Sequence, residues 1–490
     1  DLLPYADIVL PASSWSEKNG TVTNSERRIS RQRGILPPPG EARHDWWIVC
    51  EVAKRLGFGE AFAYTHPCEI FDEHARLSGF ENGEGPGESR RLFDISGLAG
   101  LDRDAYDALA PIQWPVNAGA PHGTARLFTD GRFATPGGRA RLLPVRPRPP
   151  AQALDAARPL RLNTGRVRDQ WHTMTRTGRA PRLMNHRAEP FIELTPEDAA
   201  EWGVAEHGLA RLEGAGGDYV GRVRLSRGQR RGEVFVPMHW SGYFSGTARM
   251  GTLLEAHLDP VSGQPESKHG AVALAPLAVE WEATLLVADD LGVAESSWCD
   301  ESRYWARIPL HGCQRWQLAG GESACGGVAK KAAQRDWLTW LEATLPVAPT
   351  LWCTDPATGR LRAAGVDAAG RLRWWLMAGP PVELPNLAWL DARFEEARAG
   401  VGLSAQHRRR LLAGCDDGAA NQGPVVCSCH QVGQRAILEA IREGDDSVEA
   451  LGARLACGTQ CGSCVPELKS LIEEEKAHAS AEPIEITAVA

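Results

Sequence analysis

Apolar residues recur at helical spacing in "DWWIVCEVAKRLGFG", residues 45–59, where Trp47, Val49, Val52, Ala53 and Leu56 follow the period and Gly57 stops it. Upstream, "ADIVLP" (residues 6–11) is a continuous apolar run and predicts a buried strand. Strand followed by helix is the order of an α/β domain, so residues 1–110 read as the C-terminal part of one. Between 80 and 150 the chain is rich in Gly and Pro and ends in "PVRPRPP", which predicts a linker, placed at 111–157. Residues 158–280 then change character. "LRLNTG", "GLARLEG", "DYVGRVRLS" and "GEVFVPMHW" are short, partly alternating runs divided by turns, the pattern of a compact β-barrel. Between the first two, "LTPEDAAEWGV" predicts a short helix with Thr195 as N-cap, Pro196 in its first turn, Asp198 closing a capping box and Gly203 as the stop.

Residues 281–415 carry ten of the chain's seventeen tryptophans and read as a packed α/β connecting region of unknown role. Cys299, Cys313, Cys325 and Cys353 lie there at spacings that fit no common ligand pair, which predicts buried free thiols. The last segment, about 424–476, is mostly helical: "QRAILEAIREG" with Gly444 beyond its end, "DSVEALGARLACG" begun by Asp446, and "VPELKSLIEEEK" with Pro466 near its start.

Composition narrows the function classes. A chain of 490 residues with 43% hydrophobic residues has room for several cores. A net charge of −8 argues against nucleic-acid and anionic-membrane surfaces. The longest nearly apolar run, "AVALAPLAVEWEATLLVA", is interrupted by Pro276, Glu280 and Glu282, so it predicts no membrane span. Twelve cysteines are too few for a disulfide scaffold of this length, and a reducing, cytoplasmic compartment is expected. The opening "DLLPYADIVLPA" is strand material with no lead-in, so the sequence reads as one that begins within a domain.

Five cysteines crowd the last helical segment. Cys427-x-Cys429 lies in a loop before its first helix, and Cys461-x-x-Cys464 at the start of its third. Cys457 is a surplus thiol at the end of the second helix. A helix N-terminus supplies free N–H groups and the positive end of the dipole, which favour thiolates and an anionic cluster. Gly458 and Gly462 allow close backbone approach. A 2Fe–2S cluster fits best. Structural zinc remains open, although C-x-C is unusual in zinc knuckles, as do inert or disulfide cysteines.

The stretch "VVCSCHQVG…GTQCGSCVPELKSLI" resembles the bacterioferritin-associated-ferredoxin-like 2Fe–2S module, whose four ligands match Cys427, Cys429, Cys461 and Cys464. "YADIVLPASSWSEKNGTVTNSERRISR", "NTGRVRDQWHTMTRTGR", "VFVPMHW" and "DPVSGQPESKHGAV" resemble, in family order, the molybdopterin oxidoreductases and their C-terminal dinucleotide-binding barrel. The combination is similar to the assimilatory nitrate reductase family. The resemblance implies an α/β multi-domain chain: the end of a molybdopterin-binding α/β domain, a β-barrel of six-stranded type at 158–280, the connecting region and a small helical 2Fe–2S domain. It implies Mo-bis(molybdopterin guanine dinucleotide) as cofactor, with contacts at Lys18, Asp45, the run Thr164, Gly165, Arg166, Val167, Arg168, Asp169, Gln170, Trp171, His172 and Thr173, then Met238, Gly251 and Lys268. At Gly251 relatives often carry Asn, so a side-chain contact is lost there.

The same resemblance implies nitrate as the small-molecule substrate, reduced to nitrite with electrons relayed through iron–sulfur clusters. The molybdenum ligand and a 4Fe–4S cluster belong to an upstream part of roughly 350–450 residues, so no catalytic residue is expected within 1–490. No G-x-G-x-x-G fingerprint for a flavin or nicotinamide is visible. Reducing equivalents are therefore expected from a separate protein, an NAD(P)H-dependent flavoprotein reductase or a ferredoxin. Two alternatives are another molybdopterin oxidoreductase, such as a formate dehydrogenase, and a non-catalytic iron–sulfur electron-transfer protein.

Overall fold

The computed structural model describes residues 3–83, 91–144, 146–260, 262–293, 296–300, 302–321, 337–355, 357–380, 387–413 and 423–480. They fall into two compact units that divide between Pro147 and Arg148.

In the first unit, β1 (Gly20–Thr23), β2 (Arg28–Gln32) and β3 (Ile112–Gln113) form an antiparallel sheet in that order. Three helices accompany it, α1 (Asp45–Arg55), α2 (Pro67–Gly79) and α3 (Arg103–Asp107). α2 starts where Pro67 fixes the first turn and the His66 ring accepts from Cys68 N at 3.2 Å. α3 starts where Asp102 accepts from Ala105 N at 2.8 Å. Ile29, Phe71, Ala75, Ile95, Tyr106 and Val116 make the core.

Three expectations change here. "ADIVLP" is not a strand. Ile8, Val9 and Leu10 are exposed, and only a single bridge from Ala12 to Arg43 pairs the segment. α1 has the expected helical period but turns a different face inward, with Cys50 and Ala53 buried while Trp47, Val49, Val52 and Leu56 stay exposed. The stretch expected to be linker from 111 begins inside the fold: Ile112 pairs with Ile29, and Val116 is fully buried.

The second unit opens with the barrel. β4 (Leu160–Gly165), β5 (Phe191–Leu194), β6 (Leu209–Glu213), β7 (Asp218–Leu225), β8 (Glu233–Pro237) and β9 (Gly270–Pro276) close in the order β4-β8-β5-β7-β6-β9. β4 alternates as the pattern requires, with Leu160, Leu162 and Thr164 inward and Arg161 and Asn163 outward. α4 (Pro181–Met184) and α5 (Pro196–Trp202) lie between strands. Thr195 caps α5 by accepting from Asp198 N at 3.0 Å, and Gly203 ends it in the left-handed region at φ 66°. Asp198 closes no capping box. Its buried carboxylate accepts instead from Gly232 N at 2.8 Å, tying α5 to the turn before β8.

The connecting region is a six-stranded antiparallel sheet. Its strands are β10 (Trp281–Ala288), β11 (Tyr304–Pro309), β12 (Cys313–Gly320), β13 (Leu351–Asp355), β14 (Arg360–Val366) and β15 (Leu372–Gly379), ordered β11-β12-β10-β15-β14-β13. Four helices belong to it, α6 (Ser296–Cys299), α7 (Trp337–Thr344), α8 (Leu387–Arg398) and α9 (Ala405–Ala413). Both faces are covered, so β10 carries no polar alternation. Trp281, Ala283, Leu285 and Val287 pack with Trp316, Trp374 and α7, while Leu286 and Ala288 pack with Trp375, Phe394 and Leu411. The apolar run "AVALAPLAVEWEATLLVA" is thus β9, a turn and β10. Of the four thiols expected to be buried, Cys313 is, Cys299 is half-buried and Cys353 is exposed on β13; Cys325 lies outside the described residues.

The helical end follows as β16 (Val425–Cys427), β17 (Val432–Gly433), α10 (Gln434–Arg442), α11 (Val448–Leu455) and α12 (Val465–Ser480). Ser447, not Asp446, caps α11, accepting from Ala450 N at 3.2 Å. Val426, Ile437, Ala440, Leu451, Leu468 and Leu471 form a small core around the thiols. Among the described residues no helix is long and apolar enough to cross a membrane.

Candidate functional site

The cysteines converge at the start of α12. Cys427 ends β16, Cys429 follows in the hairpin turn, and Cys464 immediately precedes Val465, accepting through its carbonyl from Leu468 N at 2.9 Å. Gly458 and Gly462 both take positive φ, 77° and 69°, and wrap the loop back onto the helix end. The sulfurs meet in pairs. Cys429 Sγ lies 3.3 Å from Cys461 Sγ, and Cys427 lies within hydrogen-bonding range of Cys464 and of Cys457.

Among the described residues, no three His, Cys, Asp or Glu side chains converge on one point as ligands of a single ion. Cys427, Cys429, Cys461 and Cys464 gather at the start of α12, and a binuclear cluster takes two cysteines on each iron. Cys457 is 1% exposed and burial pushes its thiol up to about 12, the mark of a packed sulfur beside Cys427. Cys461, by contrast, is exposed, and hydrogen bonding to Ser463 draws its thiol down.

The dinucleotide segment leaves β4 at Gly165. A Cβ there would meet the Phe235 ring at 2.9 Å, so only glycine fits between β4 and β8. Thr164 Oγ1 donates to Ser267 O at 3.0 Å, and Lys268 Nζ donates to Thr164 O at 3.0 Å, which brings two distant expected contacts together. Met238 N donates to Gly165 O at 2.9 Å. Gly251 sits in an open 3-10 turn with nothing within 4 Å of where a Cβ would stand.

Arg166 stacks its guanidinium 4.4 Å above the ring of Trp171, which is 56% exposed. This plane of charge and aromatic surface suits a phosphate-bearing nucleotide. Thr173 follows on the exposed side of the same turn. Gln170 points inward, donating to Leu183 O at 3.1 Å. Lys18 and Asp45 lie in the first unit and pair with each other at 2.6 Å, the lysine holding the Asp45 carboxyl below its usual range.

His239 organises the segment and was not legible in the sequence. It is fully buried on the turn after β8, and burial pushes its pKa down, so the ring is neutral. Val167 N donates to Nε2 at 2.9 Å, leaving Nδ1–H to donate to His172 O at 2.6 Å. One imidazole in one tautomer thus spans six residues of the loop, and His172 adopts φ 45° beneath it.

Arg168 and Asp169 turn the other way, to the cysteine module. Arg168 donates to Glu467 at 2.8 Å and to the carbonyl of Val426, beside Cys427. Glu467, in the first turn of α12, also meets His186 at 3.0 Å and Arg187 at 3.0 Å. His186 in turn lies 2.7 Å from Asp169. Burial works to raise the Glu467 pKa, yet His186, Arg187 and Arg168 prevail and hold it at about 2. No local pattern marks these partners, which stand nearly three hundred residues apart in sequence.

Three stretches of the chain match known families. Residues 1–55 match the family described as Molybdopterin oxidoreductase, residues 160–271 the Molydopterin dinucleotide binding domain, and residues 425–474 the BFD-like [2Fe-2S] binding domain. The chain is similar to proteins named nitrate reductase. It is 42% identical to "Nitrate reductase" of Klebsiella oxytoca, over 97% of this chain and 51% of that protein. It is 39% identical to "Nitrate reductase" of Shewanella frigidimarina, over the same shares. The "Assimilatory nitrate reductase catalytic subunit" of Bacillus subtilis is 34% identical, over 56% of this chain and 36% of its own length. The chain thus spans about half the length of the curated relatives it matches most fully.

Proposed function

We propose that this chain is the C-terminal half of a molybdenum nitrate reductase that reduces nitrate to nitrite for nitrogen assimilation. It would work in the reducing cytoplasm. The observation that carries the reading is the docking of the cluster module on the dinucleotide segment itself, through Arg168, His186, Arg187 and Glu467. A module held there by a half-buried carboxylate shared among three partners is a fixed relay rather than a tethered one.

When bound, the bis(guanine dinucleotide) molybdenum cofactor supplies the oxygen-atom and two-electron chemistry. This chain binds and orients it. Arg166 and Trp171 present charge and a stacking face, Thr164, Gly165 and Lys268 shape the end of β4, Met238 and Gly251 complete the rim, and His239 keeps the loop in one conformation. Lys18 and Asp45 are the proposed contacts in the first unit. Cys427, Cys429, Cys461 and Cys464 hold the 2Fe–2S cluster that receives electrons from a separate flavoprotein reductase or ferredoxin, and a 4Fe–4S cluster lies with the molybdenum ligand in the upstream part.

The test is the full-length enzyme assayed with reduced viologen against nitrate and, in parallel, with an acceptor dye against formate. Nitrite formation with no formate oxidation is expected; the reverse would assign the chain to a formate dehydrogenase. In the same enzyme, Trp171→Ala should lower molybdenum content at least several-fold while soluble expression is kept. Full molybdenum occupancy in that variant would remove Trp171 from the cofactor site.

A further inference from the structure

A cleft of about 1320 Å3 lies where the barrel, the six-stranded sheet and the 2Fe–2S module meet. Eight arginines and four carboxylates line it, a local surplus of positive charge in a chain whose net charge is −8. None of Thr164 to Thr173 lines it, so it is distinct from the dinucleotide segment.

Part of the positive charge is already matched. Arg222 meets Glu189 at 3.0 Å and Glu282 at 3.0 Å, Arg224 faces Glu193 at 3.4 Å, and Arg187 is held by Glu467. Arg315 has only a shared carboxylate. It is 6% exposed, its Nη2 donates to Gln317 at 3.1 Å, and its nearest carboxylate, Glu189, stands 3.6 Å away and is already engaged by Arg222. Among the described residues its Nε has no acceptor. On β14, Arg360 Nε also lacks an acceptor, and Arg362 donates to the carbonyl of Leu412 and to no carboxylate among the described residues. A buried guanidinium with open donors is costly unless an anion completes it. Of the carboxylates that face these groups, Asp391 is committed to the backbone of His311 and Gly312 at 3.0 and 3.2 Å.

The chemistry of the ligand follows from charge, shape and size. Forked guanidinium donors match phosphate and carboxylate, and three of them around one cleft favour the more highly charged phosphate. Ile308, Leu310 and Met377 give the cleft apolar wall as well, which an inorganic anion does not need. The volume exceeds that of nitrate or a single phosphate many times over. Arg315 lies too deep for the surface of a folded acidic protein to reach.

We propose that this cleft binds a phosphate-bearing nucleotide, with its phosphates on Arg315, Arg360 and Arg362. Bound there, the nucleotide lies against Pro424, Val425 and Gln431, which flank Cys427 and Cys429. The connecting region then has a role: it supplies the basic wall of a ligand site next to the cluster loop. This inference does not depend on nitrate being the substrate.

The test is calorimetric titration of the 490-residue chain with ADP, FMN and pyrophosphate at low ionic strength. Saturable binding of ADP or FMN is expected, with pyrophosphate competing. The double variant Arg360→Ala, Arg362→Ala should weaken binding about tenfold or more, the loss expected for one or two charge-assisted contacts. Arg360→Lys should recover part of it, and an unchanged thermal transition confirms that the variants fold. Arg103→Ala, an exposed arginine of the first unit paired with Glu69, should leave the affinity unchanged. Absence of saturable binding up to millimolar nucleotide overturns the proposal. So does loss of binding in Arg166→Ala with none in the cleft variant, which would place the nucleotide on the dinucleotide segment. Binding of a polyglutamate peptide but of neither nucleotide would overturn it in favour of an acidic protein segment.

Discussion

Glu467→Gln should release the cluster module from the barrel while leaving its iron in place. The substitution keeps the shape of the side chain but removes the charge that Arg168, His186 and Arg187 share. Three cationic or polar groups then face one another across a half-buried gap, and removing one partner of such a cluster costs about 3–5 kcal/mol. The expected readout is a pair of measurements on the complete enzyme. Iron content stays at the wild-type value, whereas nitrate reduction driven by the protein donor falls at least tenfold and dye-driven reduction holds. Loss of iron together with activity would show that Glu467 supports the module's own fold instead.

The same residue predicts an acid limit. Its carboxyl is held at about 2 against an ordinary 4.5. A depressed folded pKa contributes stability that is fully present above 4.5 and fades as the pH falls towards 2, worth on the order of 3 kcal/mol across that window. Donor-driven activity of the wild type should therefore fall more steeply below pH 4.5 than that of Glu467→Gln, which has no such charge left to lose.

The second large effect concerns the thiols. Cys461→Ser should abolish the 2Fe–2S chromophore, because Cys461 is half of a close sulfur pair and is exposed, with no other thiol beside it to take its place. In the complete enzyme, dye-driven nitrate reduction should persist and donor-driven reduction should disappear. Cys457→Ser should keep two irons per chain, since it is not among the four cysteines that match the ligands of the 2Fe–2S module. Iron loss in Cys457→Ser with retention in Cys461→Ser would reverse the ligand assignment, and one zinc per chain without visible absorbance would replace the cluster altogether.

The cysteine module was legible because its chemistry is local. C-x-C, C-x-x-C and three capped helices lie within about fifty residues, and each signal is carried by neighbours in sequence. The barrel was legible for a similar reason, since inward and outward positions alternate along β4 and α5 announces itself through Thr195, Pro196 and Gly203. The six-stranded sheet was not. With helices on both faces, β10 and β15 lose their polar alternation, and β10 pairs with β12 and β15 rather than with its neighbours in sequence. The ring around Glu467 was hidden too, because an ion pair between Arg168 and a helix nearly three hundred residues later leaves no pattern. Arg168 and Asp169 therefore read as part of a continuous cofactor-binding run, whereas their side chains serve the module on the other side. His239 was concealed differently: a histidine beside Trp240 reads as ordinary core until both ring nitrogens are followed to Val167 and His172.

The barrel and the sheet behind it have no seam. β9 ends at Pro276 and β10 begins at Trp281, Ser245 bridges to Ala306, and Tyr304, Ala306, Ile308 and Ala319 from the sheet pack inside the barrel's own core. Melting one therefore strips the hydrophobic lining of the other, and strands β4 to β15 should behave as a single cooperative block in amide exchange, their slowest protons leaving at one common free energy. A truncation at residue 280 would leave a barrel with part of its interior facing water. The dinucleotide-binding fold of this chain is thus larger than the barrel that gives it its outline.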